Sequence, residues 1–216
     1  MKTQFICLAN SKKFGERCVA GIEVKKTETA YQPVEKEGKA KWLRPISKFQ
    51  HGAVAEDLVG NINLMDIIEI DVEEFCPTGY QSENATFKPS SIKKVGNMRL
   101  SDKNLDRLID MDQNNLFGNK GKAVSDDVID SVHHSLTLIK VTDFRINRRD
   151  SDGQLRIEFV FNYDRYDLPI TDIDFIQKYS ENEALLKNSN FLYLSISLGV
   201  FHNGWHSKLI AGVLYF

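Results

Sequence analysis

Apolar and polar residues alternate with a period of two through much of this chain. In LRIEFVFNY, Leu155, Ile157, Phe159, Phe161 and Tyr163 fall on one face while Arg156, Glu158 and Asn162 take the other, which is the pattern of a half-buried strand. Runs dense in Ile, Val, Leu, Phe, Tyr or Trp at residues 4–10, 17–24, 41–46, 64–72, 136–146, 192–200 and 205–215 predict further strands. Two strand pairs read as hairpins, one turning at Asp152-Gly153 and one at Asn203-Gly204, because both dipeptides accept the positive φ of tight turns. In the second hairpin residue 202 faces 205 and residue 201 faces 206. His202 and His206 then point to opposite faces of the ribbon and share no metal.

Helical spacing is rarer. SDKNLDRLIDM sets Leu105, Leu108, Ile109 and Met111 on one side behind Ser101 as N-cap. TDIDFIQKYSENEALL offers Thr171 as a cap ahead of Ile173, Ile176 and Tyr179. The polar stretch near 117–127, with two glycines, predicts a connector between two β-rich halves.

Composition narrows the class. At 216 residues and 42% hydrophobic, the chain can bury one large core or two of about 100 residues each. No apolar run approaches the roughly 18 residues of a membrane span, and the N-terminal run is too short for a secretory signal. A cytoplasmic protein with no membrane partner is expected. Cys7, Cys18 and Cys76 form no C-x-x-C pair, so they predict packed thiols and neither a disulfide framework nor a zinc site. His133-His134 lacks nearby ligand spacing. No P-loop, dinucleotide-binding glycine pattern or HExxH is present. No metal and no cofactor are expected.

The net charge of −2 conceals a split. Residues 1–50 hold 11 Lys or Arg against 5 Asp or Glu, whereas residues 51–87 hold none against 8. Such a division fits one basic face meeting an anionic partner. Lysines commonly sit on solvated faces for no other reason, so the basic residues gain meaning only beside aromatics. NSKKFGER carries Lys12, Lys13 and Arg17, KAKWLRPIS carries Lys41, Trp42 and Arg44, and FRINRRD carries Arg148 and Arg149. Cations match phosphates and exposed aromatics stack on bases, which together make a groove for single-stranded nucleic acid. Tyr80, Gln81, Glu83 and Asn84 in YQSEN form a second candidate cluster, since such side chains pair with base edges. Trp42 as a core residue and YQSEN as an ordinary loop are the competing structural readings.

FICLANSKKFGERCVAGIE, WLRPIS, PTGYQSENAT, LYLSISLG with KLIAGVL, and YDLPITD together resemble the bacterial dual OB-containing domain family. The resemblance implies a mainly β fold of two tandem OB-like five-stranded barrels with a few short helices. Together with the strand and connector pattern, the expected bounds are a first barrel at residues 1–96, a helical connector at 97–130 and a second barrel at 131–216. The resemblance further implies nucleic-acid or nucleotide recognition in the setting of bacterial defence, and with the basic and aromatic residues the expectation is a non-enzymatic module that binds single-stranded nucleic acid or a nucleotide-like ligand, with proteins of the same system as further partners. The tight Asn203-Gly204 turn departs from a longer ligand-contacting loop at that place. Two other classes stay open: a hydrolase or nucleotide-processing enzyme drawing on Glu83, Asp143 and Asp172 in a cleft between the barrels, which needs those carboxylates to converge, and a protein-interaction adaptor, which needs a sizeable apolar patch.

Overall fold

The apolar run FICLA has no polar phase, as a strand covered on both faces requires. It lies in β1 (Lys2–Lys13), which pairs antiparallel with β2 (Glu16–Lys26) on one side and with β7 (Asp66–Phe75) on the other. Phe5, Ile6, Cys7 and Leu8 are accordingly all buried. The chain divides into two units, Met1–Leu108 and Ile109–Phe216, and the computed structural model describes both apart from residues 29, 49, 100, 102–104 and 111–113.

Between β2 and β7 the first unit adds β3 (Tyr31–Pro33), the small hairpin β4 (Glu35–Lys36) and β5 (Lys39–Ala40), β6 (Trp42–Ile46) and the short helix α1 (Glu56–Val59). β8 (Asn84–Phe87) and β9 (Lys93–Asn97) follow β7. Pairing runs β1-β2-β6-β8-β7 and returns to β1, so five strands close on themselves. Among the described residues of this unit the one parallel strand pairing is β6 against β8, where Arg44 meets Asn84 and Ile46 meets Thr86. This is the five-stranded Greek-key order of an OB-like barrel. Phe5, Cys7, Val19, Leu43, Ile68, Ile70, Ala85 and Phe87 fill it, with Val59 of α1 and Ile62 joining the same cluster.

The second unit repeats that order with one strand broken. The predicted run 136–146 is two strands, β11 (Leu136–Val141) and β12 (Phe144–Arg148), separated by residues 142–143. β11 pairs with β15 (Leu192–His202), while β12 pairs with β13 (Leu155–Phe161), which in turn pairs with β14 (Asp164–Pro169). β15 and β16 (Trp205–Tyr215) form the long hairpin, and β10 (Ala123–Ser125) pairs with β16 at the edge. A parallel bridge from Ile170 to Ile210, with Thr171 N donating to Ile210 O at 2.8 Å, joins the two sheets into a half-barrel.

Several expectations shift by a residue or two. The second helix is α2 (Ile173–Glu181), and its cap is Asp172, whose carboxylate accepts from Phe175 N, where Thr171 was expected. Phe175 is its buried residue, with Ile173, Ile176 and Tyr179 only partly covered. Tyr163 does not share the apolar face of β13; it is fully exposed in a two-residue turn with Asn162, both at positive φ. The helix expected over residues 101–111 lies partly outside the described residues, although Leu105 and Leu108 are buried. Within the expected connector 97–130, Leu116 and Phe117 are buried and β10 belongs to the second unit's sheet. No helix among the described residues is long and apolar enough to cross a membrane.

Candidate functional site

The second unit carries a groove of about 990 Å³. Its walls come from segments far apart in sequence. Asn147 and Arg148 end β12, and Arg149 and Asp150 open the loop to β13. Arg156 on β13 and Asp167 on β14 also line it, Lys120 and Lys122 come from the approach to β10, and His202, Asn203, Trp205 and Lys208 come from the β15–β16 hairpin. Six cationic side chains thus line the groove against two carboxylates. That excess favours an anionic ligand.

The hairpin explains how Trp205 is presented. Asn203 and Gly204 take φ of 50° and 85°, both required by a tight turn whose twist matches its strands. His202 then faces Trp205, and Phe201 faces His206, as the spacing predicts. Along β16 the side chains alternate: Trp205 is 52% exposed, whereas His206 and Lys208 are buried. A large ring half in water beside cations is available for stacking.

The cations differ in freedom. Arg156 is fixed by Asp167, both carboxylate oxygens lying 2.9 Å from Nε. Arg149 pairs with Asp152, which holds that carboxyl down at about 2. Lys120 pairs with Asp164 at 2.8 Å, and that hydrogen bond raises the ammonium's pKa. Arg148 reaches Glu183 only at 3.6 Å, and Lys122 makes no ion pair among the described residues. Lys208 is wholly buried, and that burial lowers its pKa to about 8.

Of the twelve residues singled out in the sequence, Arg148 and Arg149 lie in this groove and the other ten lie in the first unit. Lys12 and Lys13 are the last two residues of β1. β1 and β2 continue to a two-residue turn at Phe14-Gly15, with Lys12 opposite Arg17 and Lys13 opposite Glu16. Lys12 is exposed, while Lys13 is half-buried with its pKa lowered, chiefly by burial. Arg17 is buried and pairs with Glu56 at the start of α1. Lys41 pairs with Glu23 at 2.6 Å and sits 4.9 Å above the Phe75 ring. Trp42 is half-buried in β6 opposite Ile22.

Arg44 and Glu83 are both inside the first barrel, joined at 3.0 Å. Asn84 is buried beside them and donates to Gln81 Oε1 at 3.2 Å, whereas Tyr80 and Gln81 are half-buried in the loop between β7 and β8. Of the three carboxylates of the enzymatic alternative, Glu83 meets Arg44 in the first unit, and in the second Asp143 directly precedes β12 while Asp172 accepts from Phe175 N and Val213 N. Burial pushes Asp172 up to about 6, which its position as an interior helix cap explains. Among the described residues no group of three His, Cys, Asp or Glu could hold a metal ion.

Trp205, Lys120, Lys122, Arg156 and Lys208 lie in the groove but outside the twelve residues that the sequence singles out. Two signals were present. Trp205 directly follows a tight-turn dipeptide, and Lys208 stands in the buried phase of WHSKLIAGV between His206 and Ile210.

A family model for the dual OB-containing domain matches residues 3–213. Among curated proteins no sequence matches this chain. Two solved structures are similar over its whole length: the tetrameric p202 HIN2 domain, at 10% identity and a TM-score of 0.32 with 91% of that chain covered, and the Ifi202 HINa domain in complex with 20-bp dsDNA, at 13% identity and 0.31 with 95% covered. Scores of this size do not bear on ligand or mechanism.

Proposed function

The chain belongs to the dual OB-containing domain family, and from that premise we propose that it is a non-enzymatic module binding single-stranded nucleic acid or a nucleotide-like ligand in the groove of its second barrel. One observation carries the reading: six cations and a half-exposed Trp205 line one groove of about 990 Å³. Phosphates supply the matching charge, and any base supplies a face for the indole, which makes binding tolerant of sequence. The volume lies at the upper end of the roughly 300–1,000 Å³ of small-ligand sites, so a short stretch of strand fits better than a single base. Arg148, Arg149 and Lys122 are assigned to phosphates, and Trp205 to stacking.

Titrating labelled single-stranded DNA, RNA and mononucleotides in parallel tests the assignment. Trp205→Ala should cost about 1–3 kcal/mol of binding with little change in salt slope. Arg148→Ala with Arg149→Ala should flatten the dependence of log K on log salt by about 0.7 per lost contact. Binding that ignores both changes while losing its salt slope in Lys12→Ala with Lys13→Ala would move the site to the first barrel.

A further inference from the structure

We propose that Lys208 is a positioning residue of this groove and ties its hold on phosphate to a proton, an inference that rests on the groove being the binding site. Strand alternation alone assigns position 208 to the interior, where an apolar residue is the ordinary occupant. The ammonium instead meets three oxygens: Asn119 O at 2.6 Å, Gly121 O at 2.9 Å and Asn119 Oδ1 at 3.3 Å. The Tyr166 ring lies 5.2 Å from Nζ, and Lys208 N donates to Lys122 O at 2.9 Å. Three protons therefore fasten residues 119–122 to β16. That segment carries Lys120 and Lys122 into the groove.

Every oxygen that accepts from Nζ is neutral. The charged and titratable groups that share the groove of Lys208 or the adjoining strands are Lys120 and Lys122 on the fastened segment, Asp164, Tyr166 and Asp167 on β14, Arg156 on β13, Arg148, Arg149 and Asp150 at the end of β12 and beyond it, His202 on β15 and His206 on its own strand. Asp164 is taken by Lys120, Asp167 by Arg156, and the His206 ring lies against Asp126. A buried cation without a carboxylate of its own is costly, and burial lowers its pKa to about 8.

A phosphate in the groove supplies the missing negative charge and so favours the protonated amine. By linkage, binding takes up a proton, and affinity must fall as pH rises through the ligand-free value. The neutral amine also has one donor fewer for the three oxygens, so residues 119–122 loosen as the charge is lost.

The test measures affinity for a short rhodamine-labelled oligodeoxyadenylate, whose bases do not titrate in this range, at constant ionic strength between pH 7 and pH 9. Wild type should weaken roughly tenfold across that interval, whereas Lys208→Met should bind more weakly at pH 7 and show a flat profile. Should the variant fold poorly, ¹³Cε resonances of the wild-type lysines give the answer directly: the midpoint near 8 should move upward when the oligonucleotide is added. Binding with a flat wild-type profile, or an unmoved midpoint, would overturn the role of Lys208 and leave the groove standing. Absence of binding at every pH would overturn both.

Discussion

Arg44 is 2% exposed, and its guanidinium meets Glu83 at 3.0 Å inside the first barrel. Removing one partner of such a pair strands a buried charge, so Arg44→Ala should cost about 3–5 kcal/mol in urea unfolding. Arg44→Met combined with Glu83→Leu should recover most of that loss, because two apolar groups need no counter-charge. A stable Arg44→Ala protein with weakened ligand binding would show instead that Arg44 touches ligand. Asp172 allows a pH test. Its folded-state pKa, about 6, lies above the ordinary carboxyl value, so its contribution is full below about pH 4 and is lost as pH rises through about 6. The stability of wild type relative to Asp172→Asn should therefore decline over that window, by at most about 3 kcal/mol, in urea titrations at stepped pH.

Strands approach closely where side chains are absent. A Cβ on Gly21 would fall on the Ile6 carbonyl oxygen, with the Phe5 ring beside it, although β1 and β2 pair directly there. Gly21→Ala has no room for the strand pair to yield without opening β1 from β2 or from β7. It should cost at least about 2 kcal/mol by thermal melting. An unchanged melting temperature would mean that β1 shifts freely. The break at residues 142–143 serves the opposite need, since β11 belongs to one sheet and β12 to the other. A strand changing sheets must bend, and the ladder stops where it does.

Both units share one strand order, and charge is distributed within them in a way no total reveals. Residues 109–216 hold 11 Lys or Arg against 15 Asp or Glu, and six of those cations converge on one groove. Asp150 and Asp167 share that groove and Asp152 and Asp164 pair with its cations, whereas other acidic residues are held away from it, Glu158 by Arg165 and Asp172 in the α2 cap. Expressed alone, residues 109–216 should fold and retain salt-sensitive binding of single-stranded DNA, measured by anisotropy; residues 1–108 should bind more weakly. The reverse ranking would assign the ligand to the first barrel.

The sequence by itself determined the local features. Alternation located β13, and runs dense in β-forming residues located β15 and β16, to within a few residues, while Asn203-Gly204 set the register that places His202 against Trp205. Each depends only on neighbours, through φ preference and the two faces of a strand. FICLANSKKFGERCVAGIE and the other motif stretches also carried the resemblance to the dual OB family. The tertiary structure alone decided what depends on distance across the chain: the parallel seam of β6 and β8, the bridge from Ile170 to Ile210, and the company each cation keeps. Arg44 and Arg148 are alike in sequence, each a cation in or beside a strand-forming run. One meets a buried glutamate 39 residues away, and the other lines a groove with a tryptophan 57 residues away. Propensity acts over a few residues, whereas burial and pairing are settled by the closed sheet, and so the groove could not be read from the order of residues.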